Sequence, residues 1–322
     1  MSATASSSTE FTTLADVEVV GPTLTLQQLV WRRFRRHRMA LLGAIGTVGL
    51  LVFILLGSII VPEKTANSGD LHQRLTGPTA THWFGTDSTG RDVFARVIYG
   101  GQVSLIIGVL AVGLEITLGT LIGGLAAYYG GWLDAVLMRF TEAILTIPQL
   151  FLLIVLAKFL GNDIPTITIF GRSFSGTVAI VILVIGSTSW MYLARIVRAN
   201  MLSLREMDYI SASRALGASN QRIFLTHLVP NTLSVIIVAA TLGLANAILT
   251  EAYVSFLGLG VQPPTATWGN MMDEAQSFIL RGAWWMWFFP SLLIIFTILC
   301  INLMGDGLRD AFDPHMVNAG KG

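Results

Sequence analysis

Ala40-Leu41-Leu42-Gly43-Ala44-Ile45-Gly46-Thr47-Val48-Gly49-Leu50-Leu51-Val52-Phe53-Ile54-Leu55-Leu56-Gly57-Ser58-Ile59-Ile60-Val61 is an apolar run without a single charge, closed by Pro62. A helix needs about 20 apolar residues to cross a bilayer, and this run supplies them. It is too long for a strand, and an open sheet cannot satisfy its backbone groups in lipid. The surrounding sequence is of the same kind: 53% of residues are hydrophobic, 12% are charged, and the mean hydropathy is +0.68. A soluble domain normally carries about a quarter charged residues. So few charges cannot cover a surface facing water, which makes lipid the solvent for much of this molecule.

Five further runs fit a bilayer: Gln102–Tyr128, containing Glu115; Phe140–Leu160, with Glu142 and Pro148 inside; Thr177–Leu193; Leu233–Val254, with Glu251 near its end; and Ala283–Met304. The expected fold is an all-α membrane protein with six transmembrane helices. An even number of crossings puts both termini on one side. Alternating the loops places 13 of the 20 Lys and Arg residues on the side of the termini. The densest group is Trp31-Arg32-Arg33-Phe34-Arg35-Arg36-His37-Arg38, directly before the first span. The positive-inside rule then makes both termini cytoplasmic, in a multi-pass protein of the cytoplasmic membrane. Residues 1–30 are expected to be a disordered cytoplasmic tail, polar and rich in Ser and Thr, without the charged-then-apolar order of a signal peptide. Residues 31–315 form the membrane domain, and 316–322 a short C-terminal tail. The net charge of +1 gives no reason to expect nucleic acid, and the lone Cys300 cannot form an internal disulfide.

Two loops between spans are large: an outer one, Pro62–Gly101, and an inner one, Ala194–Thr232. The inner loop reads as two short helices. Asp208 can cap the first, and Gly217 can end it in the left-handed conformation. Ser219 or Asn220 can cap the second, and Pro230 restarts the chain at the membrane. Ile210, Leu216, Ile223, Phe224 and Leu228 give this element apolar surface. Spacing alone leaves two readings open: a loop packed on its own helices, or a docking surface for a partner.

The segment resembles the EAA loop of ABC-importer permeases. That pattern is Glu-Ala-Ala, three residues, Gly, nine residues, then Ile-x-Leu-Pro. Ser211-Ala212-Ser213, Gly217 and His227-Leu228-Val229-Pro230 fall at those positions. The Glu is replaced by Ser211, so any role of that carboxylate does not carry over. Three further stretches resemble the C-type permeases for dipeptides, oligopeptides and nickel: Gly85-Thr86-Asp87-Ser88-Thr89-Gly90-Arg91-Asp92; Ser255-Phe256-Leu257-Gly258-Leu259-Gly260, followed by Pro263-Pro264 and Trp268-Gly269-Asn270; and Gly305-Asp306-Gly307-Leu308-Arg309-Asp310 with Asp313-Pro314. They occur in the family's order, and the resemblance covers about residue 30 to residue 315.

The resemblance implies an importer subunit that forms half of a translocation path. A second, homologous permease would pair with it. Two ATPase subunits would bind ATP and Mg and dock on the inner loop, and an extracytoplasmic substrate-binding protein would deliver cargo. The chain itself would bind no cofactor and no metal. The implied coupling residues are Tyr209, Ser211, Ala212, Ser213, Leu216, Gly217, Ala218, Ile223, Phe224 and Pro230. Peptide is the expected substrate, with nickel or an oligosaccharide as alternatives.

The remaining residues of interest have competing readings. Asp87, Arg91 and Asp92 sit among turn-forming glycines, either as a structural turn with Arg91 paired to an Asp or as an outer gate or binding-protein contact. Trp268 belongs either to such an outer contact or to an interfacial anchor, and Trp284-Trp285-Met286-Trp287 reads as an interfacial anchor. Glu115 and Glu251 are the costly charges. Glu251, with Ser255, is assigned to the path or to the permease–permease contact, close enough to the outer surface to be wetted. Gly119 and Gly123 make a small-xxx-small face near Glu115, which favours packing there. Arg139 and Glu142 suit a local ion pair.

The chain carries no Walker A loop. Its lysines are Lys64, Lys158 and Lys321, and only Lys321 follows a glycine, with Gly322 after it. His37, His72, His82, His227 and His315 are scattered, and none precedes a Glu as in a zinc-protease helix. A stand-alone secondary transporter is the rival of a different class. Pro148 breaks only one span, however, whereas such carriers often pair two broken helices, and a carrier leaves the inner loop unexplained.

Overall fold

The computed structural model describes residues 25–160, 165, 167–169 and 172–313. Most of the described residues are helical, and one small hairpin is the only paired sheet among them. A short amphipathic helix, α1 (Leu26–Arg36), precedes α2 (Arg38–Ile60); α3 (Glu63–Asn67) follows. Next come α4 (Val93–Tyr129), α5 (Gly131–Leu145), α6 (Gln149–Leu160) and the paired strands β1 (Ile167–Ile169) and β2 (Arg172–Phe174). The second half holds α7 (Gly176–Arg205), α8 (Asp208–Ala215), α9 (Asn220–Ile223), α10 (Val229–Phe256), α11 (Trp268–Gln276) and α12 (Trp285–Phe312).

Five helices are long and apolar enough to cross a membrane, and a sixth crossing exists if α5 and α6 count as one broken span. Here the structure corrects the third expected span. Phe140–Leu160 is not one helix: α5 already begins at Gly131, and α5 and α6 meet at a 73° bend. The cause is Pro148. It has no N–H to donate and pushes Ile147 out of the helical region, while Thr146 turns its hydroxyl onto the Ala143 carbonyl at 2.7 Å.

The other spans are longer than their apolar windows because polar caps lie outside those windows. Asp92 accepts a hydrogen bond from the Ala95 N–H at 2.8 Å and starts α4 well before Gln102. Ser175 accepts from the Thr177 N–H and starts α7, which runs past Leu193 to Arg205. Part of the segment expected as a tail is helical. Thr25 and Gln28 form a reciprocal capping box that opens α1, so residues 26–30 are helical. Residues 1–24 and 314–322 lie outside the described residues, and with them the 316–322 tail.

The core is built around α4 and α7, the most extensive helix pair. Glycines make their close approach possible. A Cβ on Gly119 would meet Leu193 at 2.9 Å, and one on Gly123 would strike the Ala194 carbonyl. The small-xxx-small face therefore packs, as its spacing implies. Glu115 lies one turn away, buried against Gly243 of α10. Arg198 of α7 holds α5 through a two-pronged pair with Asp134, at 2.5 and 2.6 Å. Arg139 and Glu142 pair locally at 3.2 Å on an exposed face.

At the end carrying both described termini, α1 folds onto α12. Phe34 is buried with Ala40 and Ala311, and the Arg33 guanidinium donates to the carbonyls of Ala311 and Asp313 at 3.3 and 3.0 Å.

Candidate functional site

Two polar or protruding regions stand out, one at each end of the bundle. The first is the element between α7 and α10. Helix α8 begins at Asp208, but Met207 is its N-cap, and Asp208 makes no capping bond. This corrects the cap expected from the sequence. The C-terminus behaves as read: Gly217 has φ +81°, the Ala218 N–H reaches the Ser213 carbonyl at 3.1 Å, and the Gly217 N–H reaches Arg214 at 3.0 Å. These are the two bonds of a Schellman motif, which needs a residue at ease with positive φ. Ser219 then caps α9 by accepting from the Arg222 N–H at 3.3 Å.

Pro230 does not restart the chain. Helix runs on from Asn220 to Phe256 through one π turn, Phe224–Leu228. In that turn the Val229 N–H bonds the Phe224 carbonyl. The wider turn accommodates a residue with no N–H of its own.

The two readings left open for the apolar residues divide between them. Ile210, Ile223 and Leu228 are fully buried against Leu193, Val197 and Met201 of α7, with Phe224 packed beside them. Leu216, by contrast, is 88% exposed at the tip, with Leu225, Met207 and Tyr209 also exposed. Ser211 and Ala212 are exposed, while Ser213 bonds back to the Tyr209 carbonyl at 2.8 Å. The Tyr209 ring lies edge-on to His227, 6.1 Å away.

Residues that the sequence reading passed over fix this element to the bundle. The Tyr128 hydroxyl donates to Asn220 Oδ1 at 2.5 Å, and Arg205 donates to the carbonyls of Ala127 and Tyr128 at 3.0 and 3.1 Å. Those carbonyls are the unpaired end of α4, where a cation is favoured. The result is a rigid knuckle with an apolar outer tip.

The second region lies at the opposite end, where the 62–92 segment meets α11. The structural reading of Asp87 and Arg91 holds. Asp87 Oδ1 accepts from the Thr89 N–H, the Thr89 hydroxyl and the Arg91 N–H at 2.8–2.9 Å, and Oδ2 accepts from Arg91 Nε at 2.6 Å. Two partners escaped the sequence reading. Arg96, 3% exposed, approaches Asp87 at 3.5 Å and Glu274 at 3.6 Å, and Arg91 reaches Glu274 at 2.9 Å. Two arginines thus balance two carboxylates, which is what makes their burial tolerable. Ser88 also bonds Glu274. The neighbouring Asp273 carboxyl is raised above the usual aspartate range, first by partial burial and then by Glu274. Asp92 caps α4 and takes His82 Nδ1 at 2.7 Å. Because Asp87 and Asp92 are buried, neither forms an exposed contact face.

Trp268 is corrected as well. It is fully buried, and its indole N–H donates to the Val97 carbonyl at 2.9 Å, so it is neither an interfacial anchor nor an outward contact. Of the Trp284–Trp287 run, Trp285 is buried with its N–H on the Thr86 carbonyl at 3.0 Å, whereas Trp284 and Trp287 remain exposed.

Glu251 is not wetted. It is 0% exposed, accepting from Ser104 and Ser255 at 2.8 Å each. The Ser255 hydroxyl also receives the Val261 N–H at 3.3 Å, and Asn270 holds the Val261 and Thr265 carbonyls. Glu251 and Ser255 therefore clamp the 257–268 segment onto α4 rather than line an open path within this chain. Replacing Glu251 with Ala leaves the Ser104 hydroxyl without its buried carboxylate partner and opens a cavity. The expected loss is about 2 kcal/mol, read as a lower thermal midpoint in detergent.

Among the described residues no group of three or more His, Cys, Asp or Glu side chains is placed to hold a metal ion.

Residues 119–318 match the family described as binding-protein-dependent transport system inner membrane component, and residues 25–78 match the N-terminal TM domain of oligopeptide transport permease C. A dipeptide transport system permease protein of Bacillus subtilis is 38% identical, over 92% of this chain and 88% of its own length. A putative peptide permease protein of Brucella suis is 42% identical over 88% and 89%. A glutathione transport system permease protein of Shigella dysenteriae is 41% identical over 89% of each. Among solved structures, an inward-facing form of the MetNI methionine ABC transporter aligns with 68% of this chain and 96% of its own. Its TM-score is 0.53 at 21% identity, a likeness of fold.

Proposed function

This chain belongs to the binding-protein-dependent transport system inner membrane component family, and from that premise we propose that it is the permease subunit of an ATP-driven importer of short peptides. Relatives named for dipeptide, peptide and glutathione transport support that cargo class. The membrane location follows from the family and from the long apolar helices. The basic residues before α2 support cytoplasmic termini, and we take residues 31–315 as the working permease domain.

The observation that carries the mechanism is the α8–α9 knuckle. One face is buried on α4 and α7, and the other presents Leu216 and its exposed neighbours to a partner. We assign that partner as an ATPase subunit, with ATP and Mg bound there and not by this chain. Two such ATPases would serve this permease and a second, homologous one, with a binding protein delivering cargo on the other side.

The geometry suits force transmission. The helix from Asn220 to Phe256 has 37 residues, about 55 Å at 1.5 Å per residue. Its near end is pinned to Tyr128, and its far end carries Glu251, which is tied to Ser104 of α4. A displacement of the tip therefore moves α10 and α4 together and reaches the Trp268–Arg96 end without passing through a flexible loop. ATP-driven motion of the docked subunits would in this way shift the bundle between two access states.

Gly217→Val tests the knuckle with little risk to the fold. Nothing lies within 4 Å of a Cβ there, so the cost is the positive φ alone, about 1–2 kcal/mol. Uptake should fall while membrane insertion stays intact; unchanged uptake would count against docking at this turn. The broader reading is tested by purifying the chain from its native membrane. ATPase subunits and a second permease should co-purify; recovery of this chain alone, with gradient-driven transport in liposomes, would favour a secondary carrier.

A further inference from the structure

We propose that the crevice between α1, α2, α10 and α12 binds one anionic phospholipid of the membrane, with its acyl chains in the crevice and its phosphate on Arg33 and Arg35. The crevice encloses about 1080 Å³, at the upper end of the roughly 300–1,000 Å³ typical of ligand pockets. Its walls are almost wholly apolar, with Leu41, Leu233, Ile237, Met304 and Leu308 among them. It opens beside the exposed apolar flank of α2, where Leu41, Leu42, Ile45 and Val48 stand out from the bundle. In a membrane that flank lies among acyl chains, so the natural filling is lipid.

The charge at the mouth says which lipid. Residues 26–38 carry five arginines and no acid. Arg32, Arg35, Arg36 and Arg38 form no ion pair among the described residues. Arg35 lies over the Trp31 ring at 5.5 Å, and Arg33, Arg35 and Trp31 all line the mouth. Tryptophan is at home at the headgroup level, and arginine's planar fork matches phosphate oxygens. Asp310 of α12 is engaged by His37 at 3.4 Å. Bulk lipid filling an apolar gap would show no headgroup preference. A basic pocket between membrane helices would.

The test is native mass spectrometry of the full-length chain, delipidated in detergent and offered equimolar dioleoyl-phosphatidylglycerol and dioleoyl-phosphatidylcholine. One phosphatidylglycerol should be retained roughly thirtyfold more than phosphatidylcholine, the scale expected for two basic side chains facing one anionic headgroup. Arg35→Gln should reduce that preference, and the double variant Arg33→Gln/Arg35→Gln should erase it. Arg35→Lys should preserve most of it, which separates charge from packing. Ile237→Trp, which fills the crevice, should lower retention of both lipids. Equal retention of the two lipids by the native chain, or an undiminished preference in the double variant, would overturn the proposal.

Discussion

Replacing Leu216 with Asp is expected to abolish ATP-driven uptake while leaving the chain folded in its membrane. Leu216 is the most exposed apolar side chain of the α8–α9 knuckle, at 88%. Its removal therefore withdraws nothing from the core of this chain. In a docked complex the same side chain would be buried, contributing about 1.5–3 kcal/mol. Aspartate would forfeit that and add the desolvation of a charge, so docking should weaken at least about a hundredfold, at 1.4 kcal/mol per decade. Co-purification of the ATPase with wild-type and variant chains measures it directly. Full ATPase recovery with the variant would remove the knuckle from the mechanism.

The second large effect is expected at Gly123. Leucine there should prevent assembly of α4 on α7, because its Cβ would meet the Ala194 carbonyl, a backbone atom that cannot rotate aside. Overpacking costs about 1–3 kcal/mol, and more where backbone blocks the way, a large share of the stability of a folded domain. Gly113→Leu on the same helix is the control. Nothing lies within 4 Å of a Cβ at Gly113, so that variant should survive detergent extraction as the native chain does. Size-exclusion profiles of the two variants side by side would show it. Equal monodispersity of both would mean that α4 and α7 do not approach as described.

Much of this architecture can be read from hydrophobic length alone. The first span is an example, with Ala40–Val61 expected and Arg38–Ile60 found. Length fails where a polar side chain starts a helix outside the apolar window, as Asp92 does for α4, and where one residue bends a run of unchanged hydropathy, as Pro148 does. The knuckle's turn was legible because Gly217 and Ser219 act on their own neighbours. Its attachment was not, because Tyr128–Asn220 joins residues far apart in the chain.

The same limit explains the polar clusters. Asp87 and Arg91 sit four residues apart and suggest each other. Arg96 and Glu274 meet only in the fold, and Arg96 hides among residues assigned to a loop. Trp268 and Glu251 were placed too near water because pattern cannot tell a buried residue at a span's end from a wetted one. Both turn out to hold the 257–268 segment onto α4.

The central claim is that ATP hydrolysed by a partner drives cargo through this chain. The most direct measurement is uptake of a radiolabelled dipeptide into proteoliposomes carrying the purified complex and its binding protein. ATP is supplied on the ATPase side, and ionophores collapse every ion gradient. Uptake that requires ATP, persists without gradients and disappears in the Leu216→Asp complex is the predicted result. Uptake that ignores ATP and stops when the gradients collapse would contradict it and make this chain a gradient-driven carrier.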